Sequence, residues 1–123
     1  VEWKTYLSDM SALNYDMIRG SWIGDYQDPT TFLDIFLADS GNNRTGWRNA
    51  TYDQLLDQAA AAADPVRRSD LLRQAETLLV LDEVPIIPIY NYTGLYAYDS
   101  DRVGGIYPNL TDEHPIWAMY RKR

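Results

Sequence analysis

Within RGSWIGDYQDPTTF, residues 19–32, an indole and two carboxylates stand three positions apart from one another. Trp22 lies near the tip of what reads as a strand, Asp25 follows it, and Asp28 comes directly before Pro29. An indole beside a carboxylate can hold a cation, the ring face and the negative charge acting together. Two nearby acids could also serve as a glycosidase pair, but such pairs usually come from separate elements. Asp28 has another use, because an acid followed by proline at the first helical position is a helix start. The plain alternative for Asp25 is a turn ahead of that capped helix. On these residues alone the cation site and the turn both stay open.

Other chemistry is sparse. Cysteine is absent, so there is no disulfide framework, thiolate metal site or cysteine nucleophile. The single histidine, His114, precedes Pro115 with no second histidine to share a metal, and is expected on a surface loop. Neither a Gly-rich phosphate loop nor a G-x-S-x-G elbow occurs. Asp99-Ser100-Asp101 begins like a calcium loop but lacks the central glycine and the later acid, so a turn is expected. Four N-x-T sequons, at Asn43, Asn49, Asn91 and Asn109, matter only in a eukaryotic secretory chain and are taken as incidental. Ten tyrosines and four tryptophans are many for 123 residues. Helix spacing assigns Trp3, Tyr6 and Tyr52 to a core, whereas Tyr90, Tyr92, Tyr96 and Tyr98 alternate along a strand-like run. Such a face packs on a helix or lines a wet cleft, where the ring packs and the hydroxyl bonds ligand or water.

The elements that must position these groups follow from periodicity. The length suits about one domain, and no window approaches eighteen uninterrupted apolar residues. A net charge of −7 argues against nucleic acid as a partner, and Arg121, Lys122 and Arg123 read as a solvated tail. Trp3, Tyr6, Leu7 and Met10 share one side of a helix over 2–13, ended by Asn14. A chain that opens in helix register, without an initiator Met or a signal peptide, is expected to be a piece of something longer. Residues 15–22 read as a strand with neither side cleanly apolar, as at the edge of a cleft. The helix from Asp28-Pro29 buries Phe32, Leu33, Phe36 and Leu37. After a polar loop over 40–49, Thr51-x-x-Gln54 reads as a capping box. Tyr52, Leu55, Leu56, Ala59, Ala60 and Ala63 then give one helix. Asp64-Pro65 starts another, carrying Leu71, Leu72, Ala75, Leu78 and Leu79, and the two form a hairpin. EVPIIPIYNYTGLYAY, residues 83–98, is β-branched and aromatic, its prolines confining the first part to an edge strand or a strand entry. Gly104-Gly105 marks a turn, and 115–120 reads as a last strand. The pattern is α/β.

In this order W-x-G-D-Y-x-D-P-T-x-F, the acid–proline hairpin, V-P-I-I-P-I-Y and a late V-G-G resemble one family. It is the C-terminal part of the peptide- and oligopeptide-binding proteins of ABC importers, extracellular solute-binding protein family 5. The resemblance covers essentially the whole chain but only the end of a much longer polypeptide. It implies a C-terminal fragment of a class II periplasmic-binding-protein fold, a mixed sheet flanked by helices. Residues 1–92 would belong to the C-terminal ligand-binding lobe, and 93–123 to the hinge and a return segment of the N-terminal lobe. By the resemblance, Asp25 pairs with the α-amino group of a bound peptide and Trp22 stands beside it at the cleft. Main-chain groups of Ser21 and Ile23 pair with peptide backbone, Arg19 meets the peptide carboxylate in some members, and Tyr92 is a cleft tyrosine near the hinge. The implied partners are a peptide, ABC permease subunits and the missing N-terminal portion. No cofactor, metal, catalytic residue or nucleic acid is implied. The implied location is periplasmic or extracellular, with lipid anchoring left open. An oligosaccharide-binding protein of the same superfamily and a carbohydrate-active enzyme using Asp25 are the rival expectations.

Overall fold

The computed structural model describes residues 1–109 and 111–123. The chain forms two compact units, Val1–Trp22 with Asp28–Pro88, and Ile23–Gln27 with Ile89–Arg123.

The first unit is helical. Helix α1 spans Trp3–Ala12 and is closed by Leu13 in the left-handed region, φ 55°. Its stripe exists but no residue of it is buried, and Trp3, expected in a core, is 69% exposed. Periodicity assigns side chains to one face; it does not say what covers that face. The Asp28-Pro29 start is present, with Pro29 already helical (φ −56°, ψ −28°), but α2 is a single turn, Thr30–Leu33, continued by a 3-10 turn over Asp34–Phe36. Leu33 is buried, Phe36 and Leu37 pack on the core, and Phe32 is exposed.

Helices α3 (Ala50–Ala61) and α4 (Pro65–Thr77) form the expected hairpin. Asn49, extended at φ −143° and ψ 112°, caps α3 by accepting from Thr51 N and Tyr52 N at 2.8 and 3.0 Å. The Thr51 capping box is therefore not formed. Asparagine is the stronger cap, and its position two residues earlier places Thr51 inside the first turn. Asp64 caps α4 as expected, accepting from Val66 N and Arg67 N ahead of Pro65 at the first position. Ala59 and Ala75 are fully buried, leaving the helices free to approach closely over Tyr52, Leu56, Leu71, Leu72 and Leu79. Each buried leucine contributes roughly 1.5–3 kcal/mol, so this hairpin is the stable centre of the unit. Ala60 and Ala63, assigned to the buried face, are exposed. Beyond α4 the helix widens into a π turn over Leu78–Asp82, which keeps Leu79 in the core.

The second unit holds one antiparallel ladder, β1 (Val103–Gly104) with β2 (Tyr120–Arg121), in register Val103↔Arg121 and Gly104↔Tyr120. The double glycine is needed here for close approach. A Cβ on Gly104 would sit 2.3 Å from the Tyr120 ring, and one on Gly105 (φ 86°) would sit 2.0 Å from the Ala118 carbonyl oxygen. Gly104 is thus part of the ladder rather than of a turn before it. The expected strands over 15–22 and 83–98 form no ladder, and 115–120 is a 3-10 turn at Ile116–Ala118 entering β2. Strand propensity becomes a strand only where a neighbour supplies the other half of the hydrogen bonds, and no described segment does so.

Candidate functional site

The segment carrying Arg19 to Trp22 is fastened to α1. The Tyr6 hydroxyl donates to the main-chain carbonyl of Arg19 at 2.7 Å. Trp3 stacks on Tyr6, ring centroids 5.0 Å apart and planes inclined by 22°. Downstream, Asp28 is a second fixed post. Its Oδ1 accepts from Thr30 N at 3.0 Å, from the Thr30 hydroxyl at 2.8 Å and from Arg68 Nη2 at 2.8 Å. The guanidinium of Arg68, then the Thr30 amide, pull the Asp28 carboxyl down to about 2. In return, the bond to Asp28 raises Arg68. A general acid needs a raised pKa, so Asp28 is an anchor and not half of an acid pair.

Between these posts lies Ile23–Gln27, the stretch that groups with Ile89–Arg123. Asp25 is exposed, Ile23 is 72% exposed and Trp22 is 38% exposed. Arg19, Ser21 and Trp22 belong to the first unit; Ile23, Asp25 and Tyr92 belong to the second. Trp22 and Asp25 therefore fall in different units, and an indole over a carboxylate is not a feature of either one alone. Arg19, Asp25 and Tyr92 each already have a polar, charged or ring neighbour. For Tyr92 one neighbour is Tyr90, with centroids 4.9 Å apart and planes at 59°. Ser21 and Ile23 take part in no strand ladder.

Sequence reasoning missed the groups that hold this frame. Arg68 lies forty positions from Asp28 and gave no local signal. Glu83 receives the Trp47 indole N–H on one oxygen and the Asn49 amide on the other, at 2.6 Å for the amide. This ties the exit of the hairpin to the loop before α3. Asn43, read only as a sequon, knits that loop. Its amide donates to the carbonyls of Phe36, Leu37 and Trp47, and its oxygen accepts from Thr45. The Asp99 turn is as expected, with Asp99 Oδ1 accepting from Asp101 N. His114 is not a surface histidine. Its side chain is 12% exposed, packed edge-on against Tyr96 at 4.3 Å, with Nε2 3.5 Å from Asp112 Oδ1. An aromatic eighteen positions earlier in the chain is invisible to a reading based on the adjacent proline.

No family profile matches the chain. The oligopeptide-binding protein OppA of Bacillus subtilis is 38% identical over 108 residues, 87% of this chain and 20% of that protein. The dipeptide-binding protein DppE of the same organism is 40% identical over 116 residues, 94% of this chain and 20% of that protein. Among solved structures, a periplasmic oligopeptide-binding protein of Borrelia burgdorferi superposes with TM-score 0.81 at 30% identity, covering 99% of this chain and 25% of that one. This chain belongs with the oligopeptide- and dipeptide-binding proteins. Its fold is correspondingly a part of the periplasmic-binding-protein fold, with the small ladder as the sheet among the described residues. The oligopeptide-binding-type segment spans about a fifth of the length of the curated relatives it matches. These relatives are named for binding, and no helix among the described residues is long and apolar enough to cross a membrane.

Proposed function

We propose that these 123 residues are the part of an ABC-importer substrate-binding protein that captures the amino end of a peptide. The observation that carries this reading is the match to peptide-binding relatives along nearly the whole chain, including the W-x-G-D-Y-x-D-P segment. Asp25 takes the α-ammonium as its ion partner, and Trp22 walls the site. Main-chain groups of Ser21 and Ile23, outside any ladder, bond to the peptide backbone as an added strand would. Arg19 meets a ligand carboxylate and Tyr92 lines the cleft. Backbone pairing reads no side chains, which suits a protein that accepts many sequences. The protein is non-catalytic and works outside the cytoplasmic membrane, delivering to permease subunits.

Residues 1–92 serve as part of the ligand-binding lobe and 93–123 as hinge and return segment. Support comes from the division of the chain, whose second unit resumes at Ile89. An ammonium enclosed without a counter-charge costs several kcal/mol. Removing the acid should therefore weaken binding by about 2–5 kcal/mol. Calorimetric titration of the full-length polypeptide with a free-amine tripeptide and its N-acetyl twin tests this. Loss of binding on acetylation and in Asp25→Asn is expected; equal affinity for the two peptides removes Asp25 from the role.

A further inference from the structure

Resting on that peptide-binding reading, we propose that Tyr6 is a positioning residue for Arg19. By holding the main-chain carbonyl of Arg19, it aims the guanidinium at the carboxylate of a bound peptide. A guanidinium is a planar fork that meets a carboxylate with two parallel bonds, so the pairing depends on angle as well as distance. The direction of the fork starts from the backbone that carries it. Among the described residues, 15–22 take part in no strand ladder that would set that backbone. The Tyr6 hydroxyl sets it instead, donating to the Arg19 carbonyl at 2.7 Å from thirteen positions away. The phenol is itself held. Tyr6 is half-buried on α1, and Trp3, one helical turn earlier, stacks on its ring at 5.0 Å.

Trp3, Tyr6 and Arg19 all lie within the unit that contains Val1–Trp22, so nothing outside that unit is needed to make this hold. A second tyrosine fixes the start of the same stretch, the Tyr15 hydroxyl donating to the main-chain carbonyl of Arg44. That bond is of the same kind but lies four positions from Arg19. Tyr15 therefore anchors the stretch, whereas Tyr6 fixes the residue that carries the charge. An arginine whose backbone is already set binds a carboxylate without the cost of ordering that backbone at capture. The amine end, assigned to Asp25, is read by a residue of the other unit. The two ends of a peptide thus answer to different substitutions.

The test is calorimetric titration of the full-length polypeptide with Ala-Ala-Ala and its C-terminal amide. Wild type should prefer the free acid by roughly tenfold or more, as for a hydrogen bond to a charged group. Tyr6→Phe keeps the ring and its stack but loses the hydroxyl. It should cut that preference roughly three- to tenfold, with affinity for the amide unchanged within about twofold. Tyr15→Phe should leave the preference intact. Arg19→Gln should abolish it, and adding Tyr6→Phe to Arg19→Gln should cost nothing further. The positioning role is overturned, while peptide capture stands, if Tyr6→Phe leaves the preference unchanged, weakens both peptides alike, or costs as much without Arg19 as with it. An equal cut of the preference by Tyr15→Phe overturns it as well. If wild type binds acid and amide equally, Arg19 and Tyr6 both lose their roles, again with capture intact. If wild type binds neither, the peptide reading itself fails and the role of Tyr6 falls with it.

Discussion

Removing one oxygen at the centre of the helical unit reports whether its core is held as described. Tyr52 is completely buried, and its hydroxyl donates to the main-chain carbonyl of Leu33 at 2.7 Å. That bond ties α3 to the last residue of α2, and so to the element whose start is Asp28. Tyr52→Phe keeps the ring and its edge contact with Trp47, 5.0 Å between centroids, but strands a buried carbonyl. The expected loss is about 1–2 kcal/mol. In a unit of this size each kcal/mol shifts the thermal midpoint by roughly 4–8 °C. The phenol adds a pH signature. Burial pushes its ionisation up, with the Asp34 and Asp53 charges adding to it. A raised folded-state value stabilises fully below the unfolded phenol's value, about 10, and that contribution is lost as pH climbs beyond it. Wild type should therefore lose stability faster than Tyr52→Phe above about pH 10. Chemical denaturation followed by circular dichroism across that range measures both effects. A Tyr52→Phe loss below about 0.3 kcal/mol, or parallel decline of the two proteins in alkali, would refute the assignment.

Two further outcomes follow from backbone and charge. Asp28 is held low at about 2, so its contribution is present above the unfolded carboxyl value near 4 and disappears as pH falls from about 4 to 2; acid-titrated unfolding of Asp28→Asn should show a shallower decline there than wild type. Val84 occupies the left-handed region at φ 50°, a strained place for a β-branched residue, just before Pro85. Val84→Gly should raise stability by about 0.5–1 kcal/mol, net of glycine's greater unfolded freedom, as read by the denaturation midpoint.

The parts of this molecule that the sequence announced are those decided locally. Asp64-Pro65 and the run from Tyr52 to Ala59 specify capped, one-sided helices within a few residues, and the hairpin follows because only residues 62–64 separate them. The strands were not legible, since 15–22 and 83–98 have strand composition but a ladder depends on a neighbour elsewhere. Thr51 misled because the competition between possible caps is settled by which residue can stay extended, and Asn49 does. The motif around Asp25 carries the family resemblance in the sequence itself, while Arg68, Glu83 and the seat of His114 depend on contacts made only after folding.

The run from Ile89 to Tyr98 has a consequence for handling the protein. It contains no charge and no proline, is rich in tyrosine, and stays exposed along its whole length without a ladder. Such a stretch is a template for self-association, because an identical stretch from another molecule can pair with it as a second strand. Pro85 and Pro88 act as gatekeepers on one flank only, with Asp99 and Asp101 on the other. Concentrated solutions of the 123-residue chain should thus precipitate as fibrils through this window, and a lysine placed within it should keep them clear.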